Sequence, residues 1–383
     1  MRSDGRPRPS ASGPPPDTSS QTGVPAAIIS SMKRLSPLLS CLLLVATLRA
    51  ADERKLSPLP VPVSNNAVAI SREGRESKIF SFMGMGPKKT WNDVSNRTFQ
   101  LDLGNGKWTE GRPVPGVAGR LGASAAALRQ QVVLMGGYVV DGQGGELTVS
   151  DVNVYVPVDD RWYRGNDLPV AVDDAVVGIY RDRFVYLVGG WSTTDAVRNV
   201  QVYDTEKDKW TQATPLPGRP VFGHAGALVG DTIVYVDGAY KNPDASSPKY
   251  VASTECWMGK ITKGDPTKIE WTKLPPHPGN ARYRIAAGAS EKENRIYFSG
   301  GTDNPYNYNG IGYNGQPSEP SPLTFAFNVK SGKWESVNEN TPDPTMDHRG
   351  LLVVSHGLVI VGGMEKGQAV TAKVRVVKRA SAK

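Results

Sequence analysis

Pairs of glycines recur in phase along this chain, each closing a short run of β-forming residues, and a ring of small sheets is what accommodates such a pattern. The clearest copy lies between Val176 and Gly218. Val176–Tyr180 is small and apolar, and the turn Arg181-Asp182-Arg183 leads into Phe184–Val188, an unbroken apolar run expected of a strand covered on both faces. Gly189-Gly190 ends that run, because a backbone without Cβ can bend sharply there. A third strand, Val200–Tyr203, is followed by the polar turn 204–209, by Trp210, and by a fourth strand leaving through Pro215-Leu216-Pro217. Four antiparallel strands with a glycine pair and a late tryptophan make one blade of a β-propeller.

The glycine pair returns as Gly136-Gly137, Gly300-Gly301 and Gly362-Gly363, with degenerate copies at Gly84-Met85-Gly86 and Asp237-Gly238. The tryptophan returns as Trp108, Trp162, Trp271 and Trp334. This combination resembles the kelch repeat, whose period is about 50 residues. Five complete repeats run to Pro342, and a sixth stops without a fourth strand or a tryptophan. At the other end, Lys55–Pro62 reads like the way out of a fourth strand, as Thr214–Pro217 does. We therefore expect an all-β, six-bladed kelch-type propeller over residues 54–379, its last blade closed by an N-terminal strand. An open edge there would be exposed to unwanted pairing.

The first fifty residues read differently. Residues 1–31 are rich in Pro, Ser, Gly and Arg, the composition of a disordered or mis-assigned extension. Met32-Lys33-Arg34, the apolar run Leu35–Leu48 and Arg49-Ala50-Ala51 have the order of a signal peptide over 32–50, with cleavage expected after Ala50. A secreted or periplasmic protein is the expectation, with no membrane association once the leader is gone. The formal charge of +8 includes six Lys/Arg and two Asp/Glu of this region, so the mature chain carries +4. So mild an excess, without a basic stripe among aromatics, does not point to nucleic acid. Cys256 is then the one remaining cysteine, which excludes an intramolecular disulfide and suits a small buried core residue.

In such a fold the lead-ins to the first strands converge at the mouth of the central channel. Here they supply Asn65 and Asn66, Arg120, Asp173 and Asp174, Arg219 with His224, Arg282 with Arg284, and His348 with Arg349. Five arginines set against Asp173 and Asp174 imply a carboxylate- or sulfate-bearing ligand, most simply an acidic sugar. The loops between second and third strands form an outer rim with Trp91, Tyr138, Trp191, Tyr240 and the insertion Asp303–Pro322. In that insertion Tyr306, Tyr308 and Tyr313 alternate with Asn and Gly, apolar plates beside amide groups that would suit a sugar or glycan.

Catalytic motifs are sparse. There is no HExxH, GxSxG, Walker loop or CxxC, and His224, His277, His348 and His356 are scattered without metal-ligand spacing. No metal and no cofactor is expected. The nearest family likeness is carried by Leu59-Pro60-Val61-Pro62, by Gly119-Arg120, by Asp151-Val152-Asn153-Val154-Tyr155 and by the ending Ile360–Val374. These resemble the bacterial sialic acid mutarotase (N-acetylneuraminate epimerase) family, which implies a periplasmic six-bladed propeller interconverting sialic acid anomers. The resemblance places the family's catalytic glutamate at Ala239, which cannot carry a proton, and its partner arginine near Lys249, whereas Arg120 matches. Two functions of different classes follow: a sialic acid isomerase, or a propeller that binds protein or glycan without chemistry.

Overall fold

The structure is a computed structural model and describes residues 56–379 apart from 74–75, 117, 245–246 and 356. The expected extension, the leader with its cleavage point and His356 lie outside those residues. Within them the chain is β throughout, save two single-turn 3-10 helices at Trp91–Asp93 and Lys366–Gln368. Five four-stranded antiparallel sheets and one three-stranded sheet succeed one another along the chain. Blade 1 runs over Ala67–Gly111, blade 2 over Ser124–Arg164, blade 3 over Val176–Ala213, blade 4 over Ala225–Leu274, blade 5 over Ala286–Asn338 and blade 6 over Leu352–Val377. This is the six-bladed propeller that the repeats imply.

The glycine pairs turn out to be junctions between blades. Gly136 and Gly137 are both left-handed, with φ of 58° and 94°. A Cβ on Gly136 would stand 2.2 Å from the Val172 carbonyl oxygen, so only glycine permits the approach. Gly137 then donates its N–H to that same carbonyl of blade 3, at 3.0 Å. Gly190 repeats the bond to Val221 of blade 4 (3.2 Å), and Gly301 to Thr345 of blade 6 (3.1 Å). The tryptophans form a second link, since each indole N–H donates to the tail of the preceding blade. Trp162 reaches the Arg112 carbonyl at 2.9 Å, and Trp210 the Asn166 carbonyl at 2.8 Å.

Beside each glycine pair lies a small buried slot. In blade 2 it is filled by Val152, which opens the third strand, and by Leu168 from the blade's tail. In blade 3 the same places hold Val200 and Leu216. Blade 5 has Thr324 and Thr341 there, their hydroxyls hydrogen-bonded at 2.7 Å. Blade 4 alone combines a carboxylate, a thiol and an imidazole: Asp237 replaces the first glycine, Cys256 opens the strand, and His277 takes the leucine position.

Closure uses these same contacts. Gly363 of blade 6 donates to the Val63 carbonyl at 2.8 Å, and Trp108 of blade 1 donates to the Ser57 carbonyl at 2.8 Å. Leu59 N–H meets the Ala372 carbonyl at 2.8 Å, as Leu216 N–H meets that of Arg198 at 2.9 Å. Leu56, Leu59 and Val63 pack between the strands of blades 6 and 1. Leu56–Val63 is thus the tail of blade 6 supplied from the N-terminus. Lys55, where the expected N-terminal strand begins, lies outside the described residues. The first strands of all six blades surround a central cavity of about 590 Å3, lined largely by small side chains such as Ala125, Ala127, Ala227 and Ala287 and by Gly178.

If the N-terminal tail holds the ring shut, Leu59→Ala should cost about 2–5 kcal/mol, the usual cost for a fully buried leucine. Urea unfolding followed by tryptophan fluorescence would measure it. A loss well below that range would show that the ring does not lean on this segment.

Candidate functional site

The channel mouth is built on one residue per blade, at equivalent places just before the first strand: Asn65, Gly122, Asp174, Gly223, Arg284 and Asp347. All six are left-handed, with φ between 51° and 72°. Their backbones join the blades around the channel. Asp174 N–H donates to the Gly122 carbonyl (2.9 Å), Gly223 to Asp174 (3.1 Å), Arg284 to Gly223 (2.8 Å), and Asn65 to Asp347 (3.2 Å). His348 N–H meets the Arg284 carbonyl at 3.3 Å, and the Asn65 side-chain oxygen accepts from Gly122 N–H at 2.6 Å. A Cβ on Gly223 would lie 2.1 Å from the Tyr283 ring, so the two glycines make room for their neighbours' side chains.

Four of these side chains, with Arg349, form a buried charge cluster. Arg284 donates Nε and Nη2 to Asp174 Oδ2 at 3.0 and 2.9 Å, and Nη1 to Asp347 Oδ1 at 3.0 Å. Arg349 Nη2 lies 2.6 Å from Asp174 Oδ1, and Asn65 Nδ2 donates to Asp347 Oδ1 at 3.1 Å. Burial opposes the Asp174 charge, but Arg284 and Arg349 outweigh it and hold that carboxyl below its usual range. Burial also disfavours the Arg284 charge, and Asp174 and the other groups around it keep it protonated well above the ordinary value. Asp173 is different: burial, then the Asp174 charge, push its carboxyl well above the usual range, although Thr148 donates to it at 2.8 Å.

The sequence-derived candidates divide accordingly. Asp174, Arg284 and Arg349 meet at the mouth. Asp347, which sequence reasoning missed, supplies a further carboxylate and alters the charge balance: two guanidinium groups face two carboxylates in this cluster. Aligning Asn65, Asp174 and Arg284 with the lead-in of blade 6 would have found it. Arg120 and Arg282 stand two residues earlier, where other blades have Val172 or Val221. Arg120 is 1% exposed and donates to Asn153 Oδ1 at 2.9 Å, and burial lowers its pKa to about 10 against the pull of Asp151. Arg282 is buried, which lowers its pKa, and its backbone N–H donates to Asp237 Oδ2 at 2.9 Å. Arg219 lies over the Tyr240 ring, 4.5 Å from its centre. Asn66 donates to Ser81 Oγ at 2.8 Å, inside blade 1.

The rim loops fold inward over the mouth. Tyr306, expected as an exposed plate, is fully buried and packs edge-on against Tyr283, with the Arg284 guanidinium 5.2 Å from its ring centre. Trp191 packs against Phe222 and Tyr250, and Tyr313 against Tyr250. Tyr308 rests against the cluster of Met85, Leu121 and Tyr138. The insertion 303–322 is therefore a packed cover. Trp91 remains open at 50% exposure, as do Leu147 at 57% and Ile311 at 38%. Ala239 is completely buried, its backbone paired with Phe222.

Residues 185–217, the unit around Gly189-Gly190 and Trp210, match the family model described as the Kelch motif. The chain is a kelch-repeat propeller similar to an N-acetylneuraminate epimerase. Kelch-like protein terF of Aspergillus terreus is 26% identical over 227 residues, covering 57% of this chain. N-acetylneuraminate epimerase of Salmonella arizonae is 23% identical over 297 residues, covering 67% of this chain and 72% of that protein. The matched stretch spans 44% of terF and 19% of beta-scruin of Limulus polyphemus, less than half the length of either relative. The solved structure of YjhT superposes with a TM-score of 0.67 at 17% identity, covering 86% of this chain and 98% of YjhT, and supports the fold.

Two histidines of this kelch propeller tie its stability to pH. Burial lowers His224 to about 4, and burial with the Arg375 and Arg349 charges lowers His348 to about 3. Unfolded histidine titrates near 6.5, so below that pH the unfolded chain binds protons that the folded chain refuses. Their contribution is present above pH about 6.5 and is lost as pH falls toward 4. Asp173 acts in the opposite sense, since its stabilisation is lost as pH rises. Urea unfolding at pH 7.5 and 5 should show a loss of up to about 2 kcal/mol per histidine. His224→Gln with His348→Gln should flatten that slope, and an unchanged slope would show that other groups cause it.

Proposed function

We propose that this chain is an exported binding propeller without acid–base catalysis of its own, whose rim-loop face holds a protein or glycan partner. The observation that carries the reading is the internal pairing at the mouth. Arg284 is hydrogen-bonded to both Asp174 and Asp347, and Arg349 stands 2.6 Å from Asp174, so an anionic ligand would compete with carboxylates already in place. Ring opening of a sugar needs one group to take the anomeric proton and one to protonate the ring oxygen. The position that the epimerase likeness assigns to that work is the buried Ala239. What the face offers a partner is apolar and aromatic: Trp91 on blade 1, Leu147 on the hairpin of blade 2, and Ile311 on the insertion of blade 5.

The second reading is a sialic acid mutarotase binding an acidic sugar at the mouth, favoured by the Salmonella arizonae relative, which aligns over 72% of its own length. Proton-exchange NMR of N-acetylneuraminate anomers separates the two. On the first reading the purified protein leaves the interconversion rate at its buffer value even at high protein concentration. Acceleration proportional to protein concentration would overturn it in favour of the isomerase.

Export rests on the sequence of residues 32–50; among the described residues no helix is long and apolar enough to cross a membrane. Intact mass of the protein from a bacterial secretion host should give a chain beginning at Ala51. A chain retained in the cytoplasm with residues 32–50 still attached would exclude this.

A further inference from the structure

The most unusual blade junction is that of blade 4. Where blade 2 carries Gly136, Val152 and Leu168, and blade 3 the same three residue types, blade 4 carries Asp237, Cys256 and His277. Three departures from an apolar slot coincide in one place, and each introduces a metal-ligating group. Asp237 holds the glycine's left-handed backbone, with φ of 62°, a conformation that suits aspartate less well than glycine. The Asp237 carboxylate, Cys256 Sγ and His277 imidazole each place one ligand atom within 4.8 Å of the others, and all three residues are buried.

Hydrogen bonding in the slot is incomplete in an instructive way. Asp237 Oδ2 accepts from Arg282 N–H at 2.9 Å, while Oδ1 has no partner although the side chain is 1% exposed. His277 faces acceptors from both ring nitrogens: the Pro278 carbonyl is 2.8 Å from Nδ1, and Asp237 Oδ2 is 2.7 Å from Nε2. An imidazole so placed is doubly protonated, or shares a single proton with the Asp237 carboxyl, or keeps one proton on Nδ1 and offers the Nε2 lone pair to a cation. The Nδ1–H to carbonyl bond is the outer contact that orients a metal-binding histidine. Blade 5 fills the same slot with Thr324 and Thr341, which satisfy each other at 2.7 Å. Blade 4 leaves a carboxylate oxygen over.

We propose that Asp237, Cys256 and His277 form a buried site for a divalent ion of the zinc type, which ties the tail of blade 4 to its second and third strands beside blade 5. Mixed S, N and O donors of this kind select Zn2+ over Mg2+ or Ca2+. Bonds of about 2.0–2.3 Å set tetrahedral ligand atoms roughly 3.3–3.8 Å apart, so the slot reaches that geometry by small shifts. Cys256 binds as thiolate and His277 through Nε2; the thiol proton, and the second imidazole proton where present, pass to solvent. Asp237 binds through Oδ1, the carboxylate oxygen left without a partner. The ion would add to stability by binding the folded chain only.

The test uses the full-length chain, stripped with a chelator under reducing conditions and titrated with Co2+ and then Zn2+. The proposal expects a thiolate-to-cobalt charge-transfer band saturating at one equivalent, displacement of that band by Zn2+, and a Tm that rises with Zn2+. Cys256→Val installs the residue that blades 2 and 3 use, so it should fold and lose the band; Cys41 remains as an internal control. His277→Leu should weaken Zn2+ binding by more than roughly tenfold. Should a single variant misfold, Asp237→Gly with Cys256→Val and His277→Leu restores the whole slot of its neighbours and should be stable and indifferent to Zn2+. Absence of the band in the parent chain, or a band that survives Cys256→Val, overturns the site and leaves an Asp–His ion pair.

Discussion

Everything at the channel mouth depends on six left-handed residues that pass hydrogen bonds from blade to blade. Such a backbone costs an ordinary L-residue about 1–2 kcal/mol and suits Gly, Asn and Asp best. Five of the six positions comply. Arg284 does not, yet it is the residue that must span two carboxylates, and breaking a buried pair of this kind costs about 3–5 kcal/mol. The electrostatic requirement exceeds the backbone strain, so arginine remains where glycine would fit more easily.

The repeats were legible because a propeller writes its junctions in residues of unusual character. Glycines such as Gly136 and Gly300 abut a carbonyl, and tryptophans such as Trp162 clasp the preceding blade, so each copy announces itself locally. The lead-ins were only half legible. They hold the same backbone but not the same residues, and a shift of two positions separates Arg120, locked onto Asn153, from Arg284 in the cluster. Asp347 went unseen for the same reason. The insertion misled in another way: its Asn- and Gly-rich composition belongs to exposed loops, yet Tyr306 and Tyr313 are absorbed by Tyr283 and Tyr250 across the ring face. The slot of blade 4 was invisible, because Asp237, Cys256 and His277 are spread over forty residues and meet only through the strand ladder and the blade's tail.

Pairing charges internally changes what a channel mouth is for. A ring of unpaired guanidinium groups acts as a receptor for an anion, whereas guanidinium groups bridged by carboxylates act as struts. In this propeller the struts lie under an aromatic cover that continues the hydrophobic packing of the rim. Recognition, on the reading proposed above, moves outward to residues with no structural duty, Trp91 and Leu147 among them.

The N-terminal tail reproduces, without a covalent bond, the contacts that blades 2 and 3 make with their successors: a glycine N–H to a carbonyl, an indole to a tail, a leucine in a slot. The circle therefore has no privileged beginning. Linking Arg379 to Leu56 and opening the chain at Pro217-Gly218, between blades 3 and 4, would exchange one such seam for another of the same kind. The order of blades around the axis is conserved under that operation, while the position of the termini becomes a matter of genetic history.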